Sequence, residues 1–102
     1  MTLPLLVLTA AMGAALLSAE EWTGAISESG CGIKHGAGGA AAEKCVAACV
    51  KKGAAPVFVT DGKVIRIANG EKVMDHLGRK VKLTGRLEYG LVTVDAIEAA
   101  VE

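Results

Sequence analysis

The sequence predicts an all-β domain with a minor helical component, and three observations carry that prediction. Two β-branched runs flank a tight Asp61-Gly62 pair in PVFVT-DG-KVIRIA. A second pair of alternating runs, KVKLTGRLE and LVTVDAI, is joined by Tyr89-Gly90. Strong helix formers are concentrated in one stretch, AAAEKCVAACVKK, with glycines before it and Gly53 after it. Short period-two runs broken by turn residues mark a small sheet structure.

The elements follow in order. Trp22 to Ser29 (WTGAISES) alternates and reads as a first strand. Gly30 to Gly39 is glycine-rich and reads as a loop, carrying Cys31 and His35. Ala40 to Lys52 reads as a helix. Lys51 and Lys52 suit the negative end of its dipole, and Gly53 suits its C-terminal cap. Ala42, Cys45, Val46, Cys49 and Val50 recur at helical spacing and form one face. Pro56 opens the second strand, and Asp61-Gly62 turns it into the third as a two-residue hairpin. Asn69-Gly70 ends the third strand, and Glu71 to Leu77 (EKVMDHL) reads as a short helix stopped by Gly78. In the fourth strand, Lys80 to Glu88, Val81, Leu83 and Leu87 share a face, with Gly85 marking a bend or bulge. Leu91 to Ile97 is the last strand.

Five short strands, with a helix inserted between strands 1 and 2 and a short helix between strands 3 and 4, fit a five-stranded OB-like barrel. Closure into a barrel buries one sheet face and shortens the exposed edges. Trp22 reads as a plug at one end, and Met74 as core.

The charge distribution divides the chain. Eleven Lys and Arg balance eleven Asp and Glu, and all of them lie from Glu20 onward. Residues 1–19 are uncharged, with an apolar run from Leu5 to Leu17 of signal-peptide length and small residues at Ser18-Ala19 for cleavage. The first residues lack Lys and Arg, so a retained N-terminal anchor is the competing reading. The expected organisation is a signal peptide or anchor over 1–19 and the barrel domain over 20–102. The protein is then exported, periplasmic or extracellular, and meets a membrane only if residues 1–19 stay attached.

The cysteines carry the chemistry. Cys31-x3-His35-x9-Cys45-x3-Cys49 brings three sulfurs and one imidazole to a loop-helix unit. Cys45 and Cys49 project from consecutive turns of one helix face. Cys31 and His35 lie on a flexible loop that can fold back to complete a tetrahedron. Three sulfurs and one nitrogen suit zinc in a structural site, and soft thiolates also suit copper(I) or iron. Two bland readings compete. Buried cysteine behaves as a small hydrophobe. In an oxidising compartment Cys31 can instead bridge to a helix cysteine, a staple of roughly 3 kcal/mol in the chain-entropy picture, and the alternative function is then a disulfide-stapled module that binds a ligand or a partner protein through the barrel face. Cys45 with Cys49 is a poor pair, because their Cβ vectors run parallel. An odd cysteine count leaves one thiol over, which opens a route to self-association. His76, in the short helix, reads as surface or rim packing.

Other function classes lack their residues. Single-stranded nucleic acid needs a basic groove with stacking aromatics. This chain is neutral overall and has one Trp, one Tyr and one Phe. Arg79, Lys80, Lys82 and Arg86 read as a solvated strand face. Ser27 and Ser29 lack a nucleophile context, and Glu20, Glu21 and Glu98 read as solvated ends. The run H-G-A-G-G-A lacks the lysine of a phosphate loop. No enzyme activity is expected.

Several motifs also resemble one family. S-x-S-G-C-G-x-x-H (Ser27 to His35), C-x-x-x-C-V-K-K-G-A (Cys45 to Ala54), P-V-F-V-x-D-G-K-V (Pro56 to Val64) and K-V-K-L-T-G-x-L…L-V-T-V-x-x-I-E are similar to a functionally uncharacterised family of small exported bacterial OB-fold-like domains. The resemblance spans Trp22 to Glu98. It implies the fold and does not supply an enzyme activity. The family's D-x-x-C-G is here Glu28-Ser29-Gly30-Cys31-Gly32, with the acidic residue placed slightly differently.

Overall fold

The computed structural model describes residues 19–100. The leader or anchor expected over residues 1–19 lies, but for Ala19, outside them. Among the described residues no helix is long and apolar enough to cross a membrane.

The protein is mostly β. Its strands are β1 (Glu20–Glu28), β2 (Pro56–Thr60), β3 (Lys63–Ile67), β4 (Lys80–Glu88) and β5 (Leu91–Ala99). One α-helix, α1 (Ala40–Lys51), and a 3-10 helix (Gly32–His35) stand between β1 and β2. A second 3-10 helix (Gly70–His76) stands between β3 and β4. The five strands form one sheet that closes in a ring, in the order β1-β2-β3-β5-β4. β1 makes closure work because it serves two neighbours. Its first part pairs with β4, from Glu20↔Gly85 to Ala25↔Lys80. Its second part pairs with β2, from Ala25↔Val59 to Glu28↔Pro56. The ring is completed by a short parallel contact of β3 with β5, Arg66↔Leu91 and Ile67↔Val92.

Both hairpins form where turn chemistry places them. Asp61 and Gly62 have φ of 49° and 71°, and Tyr89 and Gly90 have φ of 53° and 78°. Two successive positive φ angles give the turn whose twist matches that of the flanking strands. β4 carries a register irregularity between Thr84 and Gly85, at the expected bend.

Inside the ring lie Ile26, Phe58, Val73, Val81, Leu83, Val92 and Val94, all essentially inaccessible. Trp22 packs partly buried against them, its ring 6.3 Å from that of Phe58 at 58°. α1 lies outside the ring and buries Ala42 and Val46. Its end follows the glycine-capped pattern. Gly53 N–H donates to Val50 O (3.0 Å) and Ala54 N–H to Cys49 O (3.0 Å). Its start rests on Gly78, whose φ is +76°, and a Cβ there would run into the backbone of Ala42 and Glu43. Gly39 N–H also donates to Gly78 O (3.2 Å).

Several expectations need correction. β1 begins at Glu20, so Glu20 and Glu21 are strand residues facing solvent rather than a loose end. The last strand runs on to Ala99, which puts Glu98 inside β5. The glycine-rich segment contains the 3-10 helix Gly32–His35, and the short helix after β3 is 3-10 rather than α. Leu87 is 48% exposed although it pairs with buried Val92, because it lies two residues from the fully exposed turn residue Tyr89. Met74 is 45% exposed and is not core; Val73 takes that place. The expected solvated basic face holds, with acidic neighbours: Arg79, just before β4, meets Glu43 at 3.8 Å, and in β4 Lys82 meets Glu98 at 3.7 Å and Arg86 meets Asp95 at 3.2 Å.

Candidate metal centre

The site is assembled where β1 ends. Ser27 and Glu28 are the two buried polar residues of the strand, at 0% and 1% exposure. Each spends its side chain on the turn that follows. Ser27 Oγ donates to Gly32 O (2.7 Å). Glu28 accepts from Gly30 N–H at Oε1 (2.6 Å) and from Cys31 N–H at Oε2 (2.9 Å). A buried carboxylate is stable only when its oxygens are bonded, and here the donors are amides of the turning chain. The chain is thus bent into the 3-10 helix, with Lys34 N–H to Cys31 O (3.0 Å) and Gly36 N–H to Ile33 O (2.9 Å). Cys31 and His35 come from the two ends of that helical turn, and α1 presents Cys45 to them.

The result is a compact cluster. One ligand atom from each of Cys31, His35 and Cys45 lies within 4.8 Å of the other two. All three residues are half-buried. His35 Nε2 is buried and has no hydrogen-bond partner. An unpaired nitrogen in that setting costs free energy that a bound ion would recover. Cys49, the fourth residue singled out by spacing, is not part of that three-atom group. It stands one turn further along α1 from Cys45. The three cysteines are free thiols, and the bridge from Cys31 to the helix is not formed. His76 is also half-buried, with Nδ1 unpartnered, but it belongs to the other 3-10 helix and does not join this cluster.

Comparison with family models, curated proteins and solved structures found no match to this chain.

Charge sets the site's behaviour. Burial pushes the Glu28 carboxyl up, but hydrogen bonds from the Cys31 thiol and the Gly30 and Cys31 amides, with the nearby His35, bring it below its ordinary value. Glu28 is therefore an anion at neutral pH. Its hydrogen bond from the Cys31 thiol, aided by burial and by its charge, pushes Cys31 up to about 11. Burial and then the same Glu28 charge push Cys49 up. Without a metal, Cys31 and Cys49 are protonated thiols at neutral pH. A dication changes this, because it favours the thiolate directly.

Sequence reasoning attached no role to Glu28. Its signal was present: a carboxylate shortly before Gly-Cys can cap the exposed amides of a tight turn, as acidic side chains do at helix starts. Its burial at the end of β1 was not legible, because that depends on α1 covering the strand.

Proposed function

We propose that this chain is an exported, non-catalytic metal-binding protein that holds one transition-metal ion, zinc in the first instance, at Cys31, His35 and Cys45. The observation that carries the reading is the gathering of the Cys31 and Cys45 thiols and one His35 ring nitrogen within 4.8 Å of one another, on a histidine whose Nε2 is buried and unpartnered. Two thiolates and a neutral imidazole give zinc a neutral inner set, and the buried Glu28 carboxylate adds one negative charge beside it. A tetrahedral zinc with bonds of roughly 2.0–2.3 Å asks its ligand atoms to stand roughly 3.5–4 Å apart. Rotamer changes in a glycine-flanked turn supply that contraction. The fourth position falls to Cys49, one helical turn from Cys45 on α1, at the cost of a thiolate close to Glu28. Copper(I), which accepts fewer ligands and prefers sulfur, fits the same residues.

Export rests on the uncharged residues 1–19. The OB-like barrel reading is supported by the ring order and by the short parallel β3–β5 contact that closes it. Acidic neighbours around the basic residues of β4 favour a solvated face over a nucleic-acid groove.

The test is elemental analysis and competitive zinc titration of the reduced protein. One ion per chain is expected, abolished by Cys45→Ser and weakened by Cys49→Ser. Cobalt substitution should give thiolate charge-transfer bands that weaken when Cys31 is replaced. Reduced, folded protein that takes up no stoichiometric zinc, copper or cobalt would refute the reading.

A further inference from the structure

Three sulfurs in one place offer more than a coordination shell. Cys31 Sγ and Cys45 Sγ lie within 4.8 Å of each other, and Cys49 follows Cys45 one turn along α1. The first pair joins segments that are separate in sequence. Cys31 caps the 3-10 helix Gly32–His35, with Gly30 and Gly32 on either side of it, and Cys45 is fixed on α1. A disulfide needs Cβ vectors that face each other. Gly30 and Gly32 leave the turn the backbone freedom to bring Cys31 round to Cys45. Cys45 and Cys49 project in parallel from one helix face and meet that requirement poorly. All three thiols are half-buried and stay within reach of small reagents.

We propose that Cys31 and Cys45 are a dithiol–disulfide pair, so that the metal-bound and disulfide-bonded forms are mutually exclusive states of one site and oxidation releases the ion. The proposal rests on the metal-binding reading and adds its regulation. The oxidant is a low-molecular-weight disulfide, of the class met in an oxidising compartment. One protein thiolate attacks the small disulfide, forming a mixed disulfide and releasing one small thiol. The second protein thiolate then attacks the mixed disulfide, forming Cys31–Cys45 and releasing the second small thiol. Two electrons pass from the protein to the small disulfide, and the two protein thiol protons end on the two released thiols. The oxidised site loses two of its sulfurs and keeps His35 and Cys49, while the Glu28 oxygens stay bound to the Gly30 and Cys31 amides, a donor set too poor to hold zinc. Conversely, a bound ion occupies both sulfurs and shields them.

The experiment treats reduced protein with oxidised glutathione, with and without zinc, and maps disulfides by peptide mass spectrometry. The expected product is a monomer lighter by two hydrogens, bridged Cys31–Cys45, that binds no zinc. At a free zinc concentration of about a hundred times Kd, the unliganded fraction falls to about 1%, so oxidation should slow about 100-fold. His35→Asn should lose this protection and still form the bridge at the rate of the metal-free protein, while Cys49→Ser should give the same bridge. A bridge between Cys45 and Cys49, intermolecular products only, or an oxidised chain that keeps its zinc would overturn the proposal while leaving metal binding intact. A reduced chain that binds no zinc would instead remove the metal-binding reading, and the exclusivity with it.

Discussion

Replacing Glu28 with Gln tests the frame on which the cluster is built. The carboxylate is 1% exposed and accepts two amide hydrogen bonds, of 2.6 Å from Gly30 and 2.9 Å from Cys31. Bonds to a charged acceptor contribute about 1.5–3 kcal/mol each, while a neutral one contributes about 0.5–1.5 kcal/mol. A carboxamide offers one oxygen and one NH2. It keeps one amide as a neutral bond and turns a donor towards the other amide. Losing one charged bond, weakening the second and stranding an N–H cost about 3.5–7.5 kcal/mol, and the cheaper burial of a neutral amide than of a carboxylate offsets part of that, leaving a loss of about 2–4 kcal/mol. With an m-value of about 1–1.5 kcal/mol/M for so small a domain, the urea midpoint should fall by roughly 2 M. The measurement uses reduced protein in chelator, so that metal does not enter. Acid supplies the second readout. Glu28 has a folded-state pKa below its ordinary value, so its contribution is fully present above that ordinary value. It is lost as pH falls through the lowered folded-state value. The gap between wild type and Glu28→Gln should therefore be widest at neutral pH and close in acid. A variant within about 0.5 kcal/mol of wild type, the usual range for inconsequential surface changes, or a gap that does not shrink in acid, would refute the reasoning.

Zinc affinity should rise with pH, because Cys31, pushed up to about 11 by Glu28 and by burial, must give up its proton to bind. Cys31 alone implies about tenfold in apparent Kd per pH unit below that value, and a pH-independent Kd between mildly acid and mildly alkaline buffer would contradict it. Gly78→Ala places a Cβ against the backbone of Ala42 and Glu43 and forces a positive φ on a side chain. It should cost about 3 kcal/mol and weaken zinc binding together with thermal stability, since it displaces the start of the helix that carries Cys45. Phe58→Ala removes the largest fully buried side chain and should cost about 3–5 kcal/mol by cavity formation, measured as a lower melting temperature.

Much of this fold is local chemistry. Asp61-Gly62 makes its turn because few other residue pairs accept two positive φ angles in succession, and in the second turn Gly90 does so freely while Tyr89 holds a φ of 53° that bulky residues rarely take. Gly53 caps the helix for the same kind of reason, and the β-branched runs on either side of the turns leave the chain little choice but strand. These preferences act within a few residues, so they can be read from order alone. The pairing of β1 with two different neighbours is a different matter, as it depends on ring closure. The partial exposure of Leu87, whose pattern matches that of a core residue, was equally hidden, because it follows from where the strand leaves the core for the exposed turn at Tyr89.

The cysteine and histidine types and their intervals, together with the uncharged residues 1–19, were determined by the sequence by itself. Which thiols meet was decided by the tertiary structure. Spacing alone placed Cys49 on an equal footing with Cys45, because residues four apart share a helix face. In space the 3-10 turn brings Cys31 and His35 up to Cys45, while Cys49 lies one turn beyond that group. The physical reason is the Glu28 carboxylate, buried at the end of β1. It must bind the amides that follow it, and in doing so it fixes where the turn delivers the first thiol.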